Sequence, residues 1–124
     1  MISNFHVRRA ESGVTVVALT GQLTQGKTVT EIEYKVEELI REGTRRIVFD
    51  LSELAFIDSS GIGMMITCAG VMTKQHGKVV IAGATGKVNQ ILEITQLHRL
   101  IGIHADLAAA VASFDETHPP APVK

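Results

Sequence analysis

Apolar positions along the chain fall into two spacings that take turns. Residues 5–7 and 14–19 read as strands, and Glu11-Ser12-Gly13 between them supplies the turn of a hairpin. Residues 21–26 are polar, bounded by glycines, and read as a loop. Ile32, Val36, Leu39 and Ile40 then recur at helical spacing, while Glu31, Glu33, Lys35, Glu37, Glu38 and Arg41 fill the other face. Gly43 stops this amphipathic helix. Residues 47–51 are apolar on successive positions, the pattern of a strand covered on both faces. The next helix, residues 62–76, carries two apolar stripes: Ile62, Met65, Ile66, Ala69 and Met72 on one, Met64, Cys68 and Val71 on the other, with Gly77 ending it. Residues 79–82 form another apolar strand. Val88, Ile91, Leu92 and Thr95 mark a short helix and residues 100–104 a last strand. Asp106 caps a final helix that bears Leu107, Ala110, Val111 and Phe114.

This order predicts an α/β fold: an N-terminal hairpin strand plus a mostly parallel sheet, with about four helices packed on it. Residues 1–115 form one domain. Residues 116–124 hold all three prolines and no core pattern, and read as a flexible tail. Scarce aromatics, 4% of the chain, leave an aliphatic core of the kind a Val- and Ile-rich sheet provides.

The charge balance removes whole classes of function. A net charge of -1 gives no nucleic-acid footprint. No apolar run approaches the ~20 residues that span a bilayer. With one cysteine an internal disulfide is impossible. The simplest reading is a cytoplasmic protein with no membrane role.

Candidate chemistry concentrates in Phe56-Ile57-Asp58-Ser59-Ser60-Gly61-Ile62-Gly63, a polar, glycine-bearing turn between a strand and a helix. Two hydroxyls and a carboxylate sit where a helix begins, and a helix start accepts a negative group through its unpaired N–H groups and dipole. Ser59 and Ser60 also suit ordinary capping, as does Asp58. Gly61 and Gly63 do not complete a dinucleotide fingerprint, because Ile66 stands where the last glycine belongs. Gly83 to Val88 is too short between its glycines for a phosphate loop. Cys68 reads as core. The five histidines are scattered, so no metal site is expected, and Ser59 lacks the flanking glycines of a nucleophile elbow. Of Met64, Met65 and Met72, two are expected in the core, with Met64 or Cys68 facing outward near the helix start.

With the turn in place, the chain resembles a STAS domain of the anti-sigma factor antagonist type, from about Phe5 to Phe114. Gly21-Gln22-Leu23 is similar to the family's Gly-Glu-Leu, and residues 46–52 to its central strand ending in Asp-Leu-Ser. Residues 56–63 resemble its phosphorylation turn; residues 78–83 and 88–92 resemble its next strand and short helix.

The resemblance implies a protein-binding switch rather than an enzyme, with no cofactor of its own. Such antagonists bind an anti-sigma factor that is also a serine kinase and thereby free a sigma factor. Phosphorylation of the first serine of the pair, here Ser59, dissolves the complex, and a serine phosphatase reverses it. The implied partner-binding residues are Gly21, Gln22, Thr24, Asp58, Ser60, Gly61, Ile62 and Gly63, on a monomer or weak dimer. Thr24 stands where the family often has Asp, and Gln22 replaces Glu, a departure that bears on partner choice. The alternatives are a nucleotide-binding module using the 59–63 turn, and a scaffold subunit of a stress-signalling complex.

Overall fold

The computed structural model describes residues 5–24 and 26–116. Strand β1 (Phe5–Arg9) and β2 (Thr15–Leu23) flank a 3-10 turn at Glu11–Gly13, and α1 (Lys27–Arg41) follows. Then come β3 (Arg46–Ile57), α2 (Ser59–Lys74), β4 (Lys78–Ala82), α3 (Gly86–Ile94), β5 (Gly102–His104) and α4 (Leu107–Glu116). The five strands lie side by side in sequence order. β1 runs antiparallel to β2, and every later pairing is parallel. The hairpin, the parallel sheet and the helices therefore follow the expected α/β order. Of the expected tail, Glu116 is the last residue of α4, and residues 117–124 lie outside the described residues.

Two apolar layers fill the space against the sheet. On one face Ile32, Val36 and Leu39 of α1, Met65 and Met72 of α2, and Val88 and Leu92 of α3 pack on Val17, Phe49 and Ile81. On the other, Ala110 and Phe114 of α4 pack on Val14, Val48 and Val80. Neighbouring strand residues 48 and 49 thus point into different layers, which is why that stretch is apolar throughout.

β2 and β3 are both longer than the sequence pattern suggests, and the length matters for function. Residues 21–23 are strand rather than loop: Gly21 pairs with Leu54, Gln22 with Phe56 and Leu23 with Ile57. The register slips twice, so that β3 carries one extra residue between Asp50 and Glu53 and another between Leu54 and Phe56. Each bulge stretches the inward repeat from two residues to three. The buried positions accordingly run Leu51, Leu54, Ile57, a spacing that does not read as a strand. Gly21 lies at φ 74, a left-handed conformation that glycine adopts without strain, at the second slip.

Three further expectations change. Neither Met64 nor Cys68 faces outward: Cys68 is core, as its sequence context predicts, at 3% exposed, and Met64 joins it at 1%, with Cys68 Sγ donating to Met64 Sδ at 3.7 Å. Ile66, placed on the core stripe by its spacing, is 38% exposed. At the end of α2 the left-handed residue is His76, at φ 65. Gly77 serves instead as a close approach, since a Cβ there would stand 2.6 Å from the Arg45 carbonyl oxygen.

Candidate functional site

The extended ends of β2 and β3 carry the start of α2. Asp58 has extended backbone angles, φ -114 and ψ -171, and precedes the first helical residue, Ser59. Its own N–H donates to the Leu23 carbonyl at 3.1 Å, continuing the β2–β3 ladder into the turn. Its Oδ1 accepts the N–H of Ser60 at 2.8 Å and of Gly61 at 3.1 Å. The Ile62 N–H bonds the Asp58 carbonyl at 3.1 Å. Asp58 is therefore the helix cap, the ordinary role the sequence allowed for it.

That cap changes the electrostatic reading of the turn. A helix start attracts a phosphate through its free N–H groups. Here the donors of Ser60 and Gly61 are already engaged by a carboxylate. A phosphate on the neighbouring serine would meet a negative charge and few remaining donors, so the helix start gives it little of the stabilisation expected of such a place.

Ser59 is exposed, and its hydroxyl makes no hydrogen bond among the described residues; Ser60 is half-buried. Gln22 and Gly21 are exposed on the adjoining strand end, and Thr24 and Asp58 are half-exposed. Gly61 and Ile62 are buried. A Cβ on Gly61 would stand 2.8 Å from the Leu23 carbonyl oxygen, so this glycine lets α2 rest directly on β2. Gly63 is exposed with nothing within 4 Å of its Cβ position. Of the eight residues expected at a partner surface, six thus reach solvent around Ser59 and two hold the turn from beneath.

Two apolar side chains at this surface were not singled out by the sequence. Phe56, opposite Gln22, is 37% exposed. Ile66 shares a face of α2 with Gly63 and Ser59, which precede it by three and seven residues. Their only sequence signal is a hydrophobe at a position that the bulged register turns outward.

Other candidate chemistry disperses. Among the described residues no group of three His, Cys, Asp or Glu side chains is placed to hold a metal ion. Gly83 is buried, and its Cβ position stands 3.2 Å from Asp50 Oδ1, so the 83–88 turn packs on β3. Cys68 is closed off, its thiol pushed up to about 12 by burial, with Glu33 and Glu37 of α1 adding to the effect. No helix among the described residues is long and apolar enough to cross a membrane.

A profile of the STAS domain matches residues 7–110, which includes the whole β2–β3–α2 turn. The chain belongs to the STAS domain family. Within that family it is 25% identical over 104 residues to the anti-sigma F factor antagonist of Paenibacillus polymyxa, covering 83% of this chain and 88% of that one. It is 26% identical over 77 residues to the anti-sigma-B factor antagonist of Staphylococcus aureus (strain NCTC 8325 / PS 47), covering 62% of this chain and 71% of that one. Among solved structures, an anti-sigma factor antagonist from Mycobacterium paratuberculosis superposes with a TM-score of 0.77 at 19% identity, covering 88% of this chain and 91% of that one. The Bacillus cell fate determinant SpoIIAA in its phosphorylated form superposes with a TM-score of 0.69 at 20% identity, covering 89% and 98%. At such identities the structural likeness speaks for the STAS fold. The names carried by the sequence relatives bear on function.

Proposed function

We propose that this STAS protein is an anti-sigma factor antagonist that works by partner switching. Unphosphorylated, it binds an anti-sigma factor with serine kinase activity and frees the sigma factor. Phosphate on Ser59 ends the binding, and a serine phosphatase restores it. The chain itself supplies a binding surface and a substrate hydroxyl, with no catalysis of its own, and acts in the cytoplasm.

One observation carries the reading: Ser59 is exposed at the first position of α2, while Asp58 has already taken the N–H groups of Ser60 and Gly61. A phosphate adds about -1.5 to -2 charge. Left without those donors, that charge is compensated mainly by water, and a protein docking on Gln22, Phe56, Ser59, Gly63 and Ile66 must strip the water away. Desolvation and the nearby Asp58 carboxylate act in the same direction, and only about 1.4 kcal/mol is needed for a tenfold loss of affinity. The same occupied donors weaken the alternative of a nucleotide phosphate bound at the 59–63 turn.

The test is a titration of wild-type, Ser59→Ala and Ser59→Asp proteins against the cognate kinase, with mass spectrometry of the Ser59 peptide after incubation with kinase and ATP. Ser59→Ala is expected to bind and to resist release by ATP, and Ser59→Asp to bind at least tenfold more weakly. Equal affinity of all three would remove the switch. Phosphate found on Ser60 alone would move it to the neighbouring residue.

A further inference from the structure

At the far end of the sheet from Ser59, the end of β1, the turn after it, the connection from α1 and the start of β3 line an open cavity of about 310 Å³. The twelve residues of β3 separate it from the Ser59 turn by on the order of 35 Å. Its lining includes Arg9, Arg45 and Arg46, with Glu42 as its one carboxylate. We propose that this arginine-lined cavity binds a small anion carrying two or more phosphoryl groups.

What holds the three guanidinium groups carries the argument. Arg45 Nη1 donates to the Ile40 carbonyl at 2.9 Å and the Thr44 carbonyl at 2.8 Å, closing the end of α1. Arg46 Nη1 donates to the Ser12 carbonyl at 3.0 Å, and its guanidinium lies 5.9 Å from the centre of the Phe114 ring. The Arg9 side chain makes no hydrogen bond or ion pair among the described residues. Clustered arginines ordinarily share carboxylates, yet the ion pairs found among the described residues both lie on α1, Lys27–Glu31 and Lys35–Glu38. Backbone carbonyls fix Arg45 and Arg46 in place without neutralising them, and leave their remaining N–H groups unspent.

The cavity lining therefore carries three positive charges and one negative one in a chain whose net charge is -1. Lys78 stands beside Arg46 in register and adds to the same field. The C-terminal carbonyls of α1 oppose an anion, but Arg45 covers one of them. Guanidinium forks match phosphoryl oxygens in pairs, and several of them around one concavity suit a diphosphate better than a single monoanion. The volume is at the small end of ligand sites, enough for a diphosphate group.

The experiment titrates the full 15N-labelled chain with inorganic pyrophosphate in 0.15 M salt, following amide shifts. ADP forms a second arm that separates a free diphosphate from a nucleotide source of the same group. Expected are saturable shifts at Ser12, Gly13, Gly43 and Thr44. Arg9→Gln is expected to weaken binding about tenfold, the loss of one charge-assisted contact. Arg8→Gln, the same charge change on the neighbouring residue outside the cavity, is expected to leave affinity within about twofold. Tighter ADP than pyrophosphate would support a nucleotide source, and equal binding a diphosphate alone. The proposal is overturned by an absence of saturable shifts, by shifts at Ser59 to Gly61 instead, or by equal losses in Arg8→Gln and Arg9→Gln.

Discussion

Replacing Gly61 by alanine puts one methyl group into the contact between α2 and the end of β2. The new Cβ would stand 2.7 Å from Ile57 Cγ1, 2.8 Å from the Leu23 carbonyl oxygen and 2.9 Å from Leu23 Cγ. Ile57 and Leu23 are buried and have little room to turn. The carbonyl is backbone, and it also accepts the Asp58 N–H. The start of α2 must lift. Overpacking of this kind costs about 1–3 kcal/mol, and the better helix propensity of alanine returns up to about 1; with backbone as one of the clashing groups the cost lies toward the upper end, a net loss of up to about 2 kcal/mol. Gly63 is the control two residues on. Its Cβ position is open, so Gly63→Ala should collect only the propensity gain of about 0.5–1 kcal/mol. Urea unfolding of both variants, followed by circular dichroism at unchanged slope, should put their midpoints on opposite sides of the wild type. Coincident midpoints, or Gly61→Ala above the wild type, would refute the claim that α2 rests on Leu23 in direct contact.

Other changes test other parts of the same argument. Asp58→Ala removes the cap of α2 and is expected to lose about 1 kcal/mol, while Asp58→Asn retains most of it; equal losses in thermal melts would deny the capping role. The buried Thr15 hydroxyl has no hydrogen-bond partner among the described residues, so Thr15→Val is expected to raise stability by about 1 kcal/mol in denaturant titrations, and a loss would show that the hydroxyl is satisfied. The Cys68 thiol ionises near 9.0 when unfolded but only near 12 in the fold, first because it is buried and then because Glu33 and Glu37 are close. Its contribution is complete below the lower value and declines as pH rises toward the upper one. The stability of the wild type should therefore fall faster than that of Cys68→Ala from pH 9 upward, and parallel curves would contradict the burial argument.

The order of elements was legible because strand and helix spacings alternate clearly from Val14 to Phe114. Asp106 could be read as a cap and is one: its Oδ1 accepts the Ala109 N–H at 2.8 Å. The ends of β2 and β3 were not legible. Two bulges turn an alternating pattern into Leu51, Leu54, Ile57, which resembles neither a strand nor a helix. The same bulges decide that Phe56 faces outward, so an apolar part of the candidate surface was invisible for the same reason. Ser59 was legible as a candidate because its motif is local. The engagement of the helix donors by Asp58 was not, since capping was equally open to three adjacent side chains.

The strands pair strictly in the order in which they are made. Each new strand from β2 onward adds to the edge left by the previous one, so no element waits for a distant partner, and the sheet can grow during synthesis. Growth in one direction also grades the finished sheet. β3 is held from both sides along residues 47–50 and by β2 alone toward its end, whereas three-residue β5 closes an edge. Amide hydrogen exchange should open β5 and α3 well before β3 and α2. On that expectation Ser59, at the start of α2, stands on the part that opens last. Under the proposed switch, a kinase and a phosphatase would add and remove a phosphate there through many cycles while the ground beneath it stays folded.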